Sequence, residues 1–278
     1  MSIFLAIFLG IVQGIAEFLP VSSSGHLSVF QNLLKISAPD DSHMLFDVML
    51  HLGTFVSICF SFRRDIRQML GETAQLLRDR DSRSGGTPPT PHVRLLLLIV
   101  IASLPLFIAL PFYKQIRTLF FSTGFIGFML IATGIILYAS GKLVKPKTKT
   151  ERGMTVPDAL LIGLAQMMSL IPGLSRSGAT VSLALARGAE RDFAVKFSLL
   201  LSLPAVLGAA VVTFWSAIKS GIDWSAFPLY LLGFVISAAV GVFAISFLRS
   251  LMARNKWGVF SYYCFAAGAL TIILSIIF

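Results

Sequence analysis

Gln13 and Glu17 stand four residues apart in a run that is otherwise apolar (Ile7, Phe8, Leu9, Ile11, Val12, Ile15). That spacing puts both polar side chains on one helix face. A carboxylate in such surroundings is costly unless it is paired, protonated or bound to a metal. Beyond it, Ser22, Ser23, Ser24, Gly25 and His26 supply hydroxyls and an imidazole at the start of a second half-helix. A helix start presents unpaired N–H groups and the positive end of the dipole, which suits an anion. A comparable stretch lies far along the chain, where Ser175, Arg176, Ser177, Gly178, Ala179 and Thr180 again interrupt an apolar run. Guanidinium is the preferred fork for phosphate oxygens. Two half-helix starts with Arg176 and the neighbouring hydroxyls would form a phosphate cradle. Glu17 and Gln13 would hold a divalent cation against it, and hard oxygen ligands with substrate phosphates suit Mg²⁺ or Ca²⁺.

The elements that must position these groups are membrane helices. Of 278 residues 56% are hydrophobic and 13% charged, about half the charge of a typical soluble domain, and the mean hydropathy is +0.84. The apolar residues come in long runs, and six segments have the length of a transmembrane helix: 44–62, 94–112, 122–140, 193–217, 226–248 and 257–277. The expected fold class is therefore all-α and polytopic, a single integral membrane domain. Arg63, Arg64, Arg67, Arg78, Arg80 and Arg83 follow the first span, Lys142, Lys145, Lys147, Lys149 and Arg152 the third, and Arg249, Arg254 and Lys256 the fifth. The loops between are poorer, with Lys114 and Arg117 after the second and Lys219 and Asp223 after the fourth. This alternation accounts for the net charge of +10 through the positive-inside rule and places the rich loops in the cytoplasm. No nucleic-acid partner is expected. Cys59 and Cys264 sit in apolar segments and suggest neither a disulfide framework nor a metal cluster. The N-terminus lacks a basic n-region and an A-x-A site, and reads as mature protein. Within a polar segment at about 63–93, residues 64–80 are amphipathic and expected to lie on the cytoplasmic membrane surface, and 82–91 form a flexible connector.

Two apolar segments fit no simple span. Residues 2–36 are broken at Pro20 and Ser22–His26, and residues 157–190 at Pro172, Gly173 and Ser175–Gly178. Irregular backbone at membrane depth is tolerated only inside protein or beside a wet cavity, so both read as re-entrant helix pairs. They also repeat one another. LGIVQGIAEFLPVSSSGHL, from Leu9, aligns with IGLAQMMSLIPGLSRSGAT, from Ile162, so that Gly10 matches Gly163, Gln13 matches Gln166, Ser22 matches Ser175, Ser24 matches Ser177 and Gly25 matches Gly178. One pair precedes a span running inward and the other a span running outward. The chain thus divides into halves of inverted topology, about 1–140 and about 155–278. Interrupted segments at corresponding places in two such halves point to a site near the midplane.

QGIAEFLPVSSSGHL and PGLSRSGAT resemble the two signature motifs of the undecaprenyl-diphosphate phosphatase family, also known for bacitracin resistance. The family patterns are Glu/Gln-x-x-x-Glu running into a serine–glycine–histidine stretch, and PG-x-SRS-x-x-T. Both occur here in order, and the similarity covers nearly the whole chain, including LHLGT at Leu50–Thr54. The resemblance implies six spans plus two re-entrant helix pairs in inverted repeats, in a multi-pass protein of the bacterial inner membrane. It implies cation-dependent hydrolysis of undecaprenyl diphosphate to undecaprenyl phosphate and inorganic phosphate, at a site open to the periplasm. That reaction recycles the lipid carrier of peptidoglycan synthesis and confers bacitracin resistance. By position, Glu17 matches the second motif carboxylate. Ser23 and His26 match residues implicated in attack on phosphorus or its assistance. Arg176, flanked by Ser175, Ser177 and Thr180, matches the diphosphate-binding arginine, with Ser22 and Ser24 as further donors. Gln13 stands where other members carry glutamate, and an amide is the weaker metal ligand. The expected mechanism has His26 as general base, raising the nucleophilicity of the Ser23 hydroxyl. In the alternative, His26 itself or a metal-bound water attacks.

Plainer roles stand beside these. Ser22, Ser23 and Ser24 could cap a helix, and Arg176 could pair structurally with Glu17. Asp47 and His51 could reach the site or form a local hydrogen-bonded pair. Gln166 reads as helix–helix glue, and Gly124, Gly127 and Gly134 as close packing. Asp158, after Thr155 and Pro157, marks a helix start. His43 and His92 are assigned nothing. The rival function is a polyprenyl-phosphate flippase using the same anion site, but a carrier has no need of Ser23, His26 and Glu17 beside Arg176. The expected partners are the lipid substrate, the bilayer and, as an option, a second copy of the chain in a homodimer.

Overall fold

A computed structural model of the protein describes residues 2–33, 41–78, 89–142, 148–220 and 224–277. The expected positions Arg80, Arg83, Lys145, Lys147 and Asp223, and most of the connector at 82–91, lie outside the described residues. The described chain is built of α-helices, without a β-strand. The first broken pair is α1 (Ile3–Ala16) and α2 (Ser23–Leu33), and the second is α9 (Val156–Met168) and α10 (Arg176–Ala186). Their 14, 11, 13 and 11 residues make rods of about 16–21 Å, too short for a hydrocarbon layer of about 30 Å. The two breaks are built alike from local chemistry. Each contains a proline, which has no N–H to continue a helix, and a residue with left-handed backbone, Ser22 (φ 69°) in the first and Gly173 (φ 95°) in the second. Each restarts on a serine cap. The Gly25 amide donates to Ser22 Oγ at 3.2 Å and the Gly178 amide to Ser175 Oγ at 3.1 Å.

Between the pairs lie α3 (Asp41–Ser61), α4 (Arg63–Arg78), α5 (Pro91–Ser103), α6 (Leu106–Ala109), α7 (Tyr113–Leu119) and α8 (Thr123–Lys142). After the second pair come α11 (Arg191–Ser220), α12 (Phe227–Ala253) and α13 (Val259–Ile277). Five helical stretches are long and apolar enough to cross a membrane: Pro91–Phe112, Thr123–Lys142, Arg191–Val212, Phe227–Ala253 and Val259–Ile277. The first of these continues through the bend at Pro105. The expected span at 44–62 is a helix that ends in a sharp bend. Leu45–Ser61 passes the same test only together with α4, from which it is bent by 77°. That bend turns amphipathic α4 aside, in keeping with a surface helix, with Met69 buried and Leu70 and Leu77 exposed. The protein is thus a multi-pass, all-α membrane protein.

Close packing rests on small residues. Gly233, Ser237 and Gly241 lie at four-residue spacing on α12 and let it approach α3. A Cβ on Gly233 would meet Phe46 at 2.7 Å, one on Gly241 would meet Ser57, and Ser237 Oγ donates to the Leu50 carbonyl at 2.9 Å. Such small-residue seams replace the hydrophobic drive that lipid cannot supply. The two broken pairs dock in parallel fashion. Gly10 of α1 rests on the Gly233 carbonyl of α12, and its repeat counterpart Gly163 of α9 rests on the Ala102 carbonyl of α5. The contacts map onto one another when the halves are exchanged: α1–α12 onto α9–α5, α3–α12 onto α11–α5, with α3–α11 and α8–α13 onto themselves. The exchange fails at α8, which touches both α2 and α10, and at the α1–α3, α10–α11 and α11–α12 contacts, and α4 has no counterpart. Gly127 and Gly134 of α8 meet α13 backbone and Phe265, as close packing requires. Gly163→Ala is expected to lower stability by about 1–3 kcal/mol, because a rigid carbonyl fills the place of the new methyl. Thermal unfolding in detergent measures this, and an unchanged midpoint would contradict the packing role.

Asp158 begins α9 within a capping box, giving to and taking from Thr155. Its carboxylate is fully buried and also accepts from Lys149 at 2.8 Å and Arg187 at 2.6 Å. These bonds tie the segment before α9 to the end of α10.

Candidate active site

The two breaks meet. A Cβ on Gly25 would lie 3.0 Å from Gly173 Cα, and one on Gly178 would lie 3.4 Å from Pro20. Ser177 Oγ donates to the Leu19 carbonyl at 3.2 Å. Thr133 of α8 braces the second break, donating to the Gly173 carbonyl at 2.9 Å and accepting from the Ser175 amide at 3.0 Å. Cys264 of α13 donates to the Pro20 carbonyl at 3.5 Å. The starts of α2 and α10 are thereby held side by side.

Glu17, just beyond the end of α1, is the centre of the cluster. Only 5% of its side chain is exposed. One oxygen pairs with the guanidinium of Arg176, the first residue of α10. The other accepts from Ser23 Oγ at 2.6 Å and from Gln13 Nε2 at 3.0 Å. The structural pairing of Arg176 with Glu17 is therefore present, at the start of α10. Ser23 and Ser24 are half-buried, and the Arg176 side chain is 18% exposed, so a ligand can reach them.

Two imidazoles border the carboxylate cluster. His51 gives its Nδ1 hydrogen to the Asp47 carbonyl at 2.8 Å, since a carbonyl can only accept. That turns Nε2 toward Glu17, 3.8 Å from Oε2. Sequence spacing left Asp47 and His51 open, and packing of α3 against α1 brings His51 to the site. The Asp47 carboxylate accepts from Gln31 Nε2 at 2.8 Å instead. His51→Gln is expected to lower turnover about tenfold, because it removes the imidazole that Nδ1 anchors beside Glu17. Phosphate release at saturating substrate checks this, and unchanged turnover would leave His51 a purely structural role.

His26 departs from the expected pairing. Its Nδ1 donates to the Ser22 carbonyl at 2.8 Å, so the neutral ring accepts at Nε2 from the Tyr263 hydroxyl at 2.7 Å. The two rings also stack, with centroids 5.7 Å apart. The Ser23 hydroxyl is turned to Glu17 instead of His26, because α2 begins at Ser23 and the imidazole folds back onto the turn before it. Tyr263 lies in an apolar span, 237 residues away, and nothing in its sequence surroundings marked it.

The remaining hydroxyls expected to bind phosphate are held by the protein itself in this structure. Ser22 and Ser175 cap α2 and α10 and bond weakly to Ser24 and Ser177, at 3.4 and 3.3 Å. Thr180 Oγ1 donates to the Arg176 carbonyl at 2.8 Å, bonds to Ser198 and is fully buried. Their geometry shapes the cradle. The partly exposed donors of the cluster are Arg176, Ser23 and Ser24. Gln166 differs from the reading as hydrogen-bonding glue: it is buried, and neither amide atom has a partner among the described residues.

No group of three or more His, Cys, Asp and Glu side chains able to hold a metal occurs among the described residues. One observation nevertheless fits a cation. Gln13 must present Nε2 to Glu17, since a carboxylate only accepts, and its Oε1 is then a buried oxygen without a hydrogen-bond partner. Beside Glu17 it would offer a Mg²⁺ or Ca²⁺ ion a hard oxygen ligand.

The chain is similar to known proteins over nearly its whole length. The family described as "Bacitracin resistance protein BacA" matches residues 6–270. Proteins named undecaprenyl-diphosphatase are similar over the full length: 38% identical for Halothermothrix orenii and 37% for Alkaliphilus metalliredigens, each over 100% of both chains. The protein of that name from Methanobrevibacter smithii is 36% identical over 99% of both chains. With match and relatives spanning both broken pairs and the helices that carry them, the chain belongs to the bacitracin resistance protein BacA family.

Proposed function

We propose that this protein hydrolyses undecaprenyl diphosphate to undecaprenyl phosphate and inorganic phosphate. The observation that carries this reading is the meeting of Arg176, Glu17 and Ser23 at two adjoining helix starts. A diphosphate draws the Arg176 guanidinium away from Glu17, because phosphate oxygens take its fork at least as well as one carboxylate does. Glu17 is thereby freed as the proton acceptor for Ser23, whose hydroxyl already points at it. The Ser23 oxygen attacks the terminal phosphorus, the anhydride P–O bond breaks, and undecaprenyl phosphate leaves with that bond's electron pair. Glu17 passes that proton to the departing phosphate. Water then attacks the phosphoserine and gives a proton to Glu17 as the Ser23 Oγ–P bond breaks; Ser23 Oγ takes the proton back from Glu17, and inorganic phosphate departs. In this reading the general-base role passes from His26 to Glu17. His26 holds the first turn of α2 through Ser22 and shares a proton with Tyr263. Ser22, Ser175, Ser177 and Thr180 keep the two N-termini aimed at the phosphates, where positioning and charge stabilisation supply most of the catalysis.

Gln13 Oε1 and Glu17 would hold a divalent cation, which when bound neutralises diphosphate charge as a Lewis acid. The proposal includes a bacterial inner-membrane location, basic ends of the bundle in the cytoplasm and a site open to the periplasm. It also takes the halves at about 1–140 and about 155–278 as inverted repeats, supported by the exchange of helix contacts.

The test is phosphate release from undecaprenyl diphosphate by purified protein in detergent, with Mg²⁺, with Ca²⁺ and with chelator. Release is expected with a cation and is expected to fall about a hundredfold on chelation. Folded protein that releases no phosphate under any of these conditions would contradict the reading. Release that chelator leaves unchanged would remove the cation from it.

A further inference from the structure

A second polar site lies at the other end of α10 from Arg176. A cavity of about 310 Å³ opens between the ends of α8 and α12 and the starts of α11 and α13. Its lining includes Lys142, Arg191 and Lys256, and no carboxylate among the described residues. None of these three cations has an acidic partner among the described residues, whereas Lys149, Arg187, Lys196 and Arg249 at the same end are each matched. The positions are built in. The end of α12 closes with Asn255 in left-handed backbone and the Lys256 amide bonded back to the Leu251 carbonyl at 3.0 Å. That turn sets Lys256 at the cavity, a Schellman arrangement. Trp257 beside it is buried, its indole N–H shared between Ser140 and Ser182 at 3.2 and 3.4 Å, and so forms a rigid wall. Lys142 stands over the Tyr138 ring at 4.3 Å.

The surroundings say what kind of anion fits. Tyr138 and Tyr262 line the cavity and remain 41% and 66% exposed, as interfacial aromatics do at the head-group level. Outward of them Phe128, Ile135 and Val259 expose apolar surface along α8 and α13, a track for acyl chains. The volume is at the small end of ligand sites, enough for a head group with its chains left outside. Basic pockets between membrane helices are suited to anionic head groups. We propose that this cavity binds the phosphate head group of an anionic membrane lipid, at a site separate from the catalytic cluster and independent of the reaction assigned to it.

The test is native mass spectrometry of delipidated, full-length protein in neutral detergent, titrated with dioleoyl phosphatidylglycerol, with dioleoyl phosphatidylcholine and with inorganic phosphate. Phosphatidylglycerol is expected to bind in preference to phosphatidylcholine. Each cation is worth about fivefold, so Lys142→Ala, Arg191→Ala and Lys256→Ala together should weaken binding about a hundredfold. Should that triple variant not fold, Lys142→Gln with Lys256→Gln, both exposed side chains, should weaken it about twenty-fivefold. Phosphate release from undecaprenyl diphosphate should be unchanged in either, which separates this site from the catalytic one. Equal phosphatidylglycerol binding by wild type and a folded variant would overturn the proposal, as would equal affinity for phosphatidylcholine. Inorganic phosphate that displaces the lipid from wild type at equal concentration would keep the anion site and overturn the lipid as its occupant.

Discussion

Arg176→Ala is expected to lower turnover about a thousandfold, the usual scale for removing a cationic group that holds transferring phosphoryl oxygens. Two effects are folded into that number, and a second variant separates them. Without Arg176, Glu17 is a buried carboxylate whose strongest counter-charge is gone, which costs about 3–5 kcal/mol of stability. Glu17→Gln combined with Arg176→Ala removes both charges, so the unfolding midpoint should return toward wild type while turnover stays low. Arg176→Lys keeps the charge but not the planar fork and should fall between, about ten- to a hundredfold below wild type. Near-normal phosphate release by folded Arg176→Ala would remove the arginine from the mechanism and leave it a structural partner of Glu17.

Ser23→Ala carries the second large effect. If Ser23 Oγ forms the bond to phosphorus, its loss should reduce turnover at least about ten-thousandfold, as removing a nucleophile does elsewhere. Rapid quenching of wild-type protein with substrate radiolabelled at the terminal phosphorus should trap label on the protein, and Ser23→Ala should trap none. A fall of only about tenfold, with no trapped label in either protein, would transfer the attack to water and leave Ser23 as a hydrogen-bond donor to Glu17. Folding is not expected to obscure the result, since Gln13 still donates to the same carboxylate oxygen at 3.0 Å.

Much of this arrangement was legible along the chain, because it depends on neighbours. Pro20 and Pro172 end helices for want of an N–H. Ser22 and Ser175 cap the next helix three residues on, and Asp158 closes a capping box with Thr155. The apolar runs announced the membrane helices. Gln13 and Glu17, four apart on one helix, were expected on one face and are hydrogen-bonded there.

Contacts across the chain were a different matter. Arg176 meets Glu17 over a separation of 159 residues and His26 meets Tyr263 over 237. Both depend on how closely glycine seams let whole helices approach, and no local pattern encodes that distance. The same holds for His51, which the sequence left open between the site and Asp47, and for Ser23, whose hydroxyl meets Glu17 instead of the imidazole three residues on. Composition, breaks and caps are set by the bonding each residue can or cannot make with its own neighbours, and these the sequence by itself determined, together with the polar residue types placed at the breaks. Which of those residues touch, which hydroxyls are consumed in caps and which amide oxygen is left without a partner was decided only by the packing of the two broken pairs against each other.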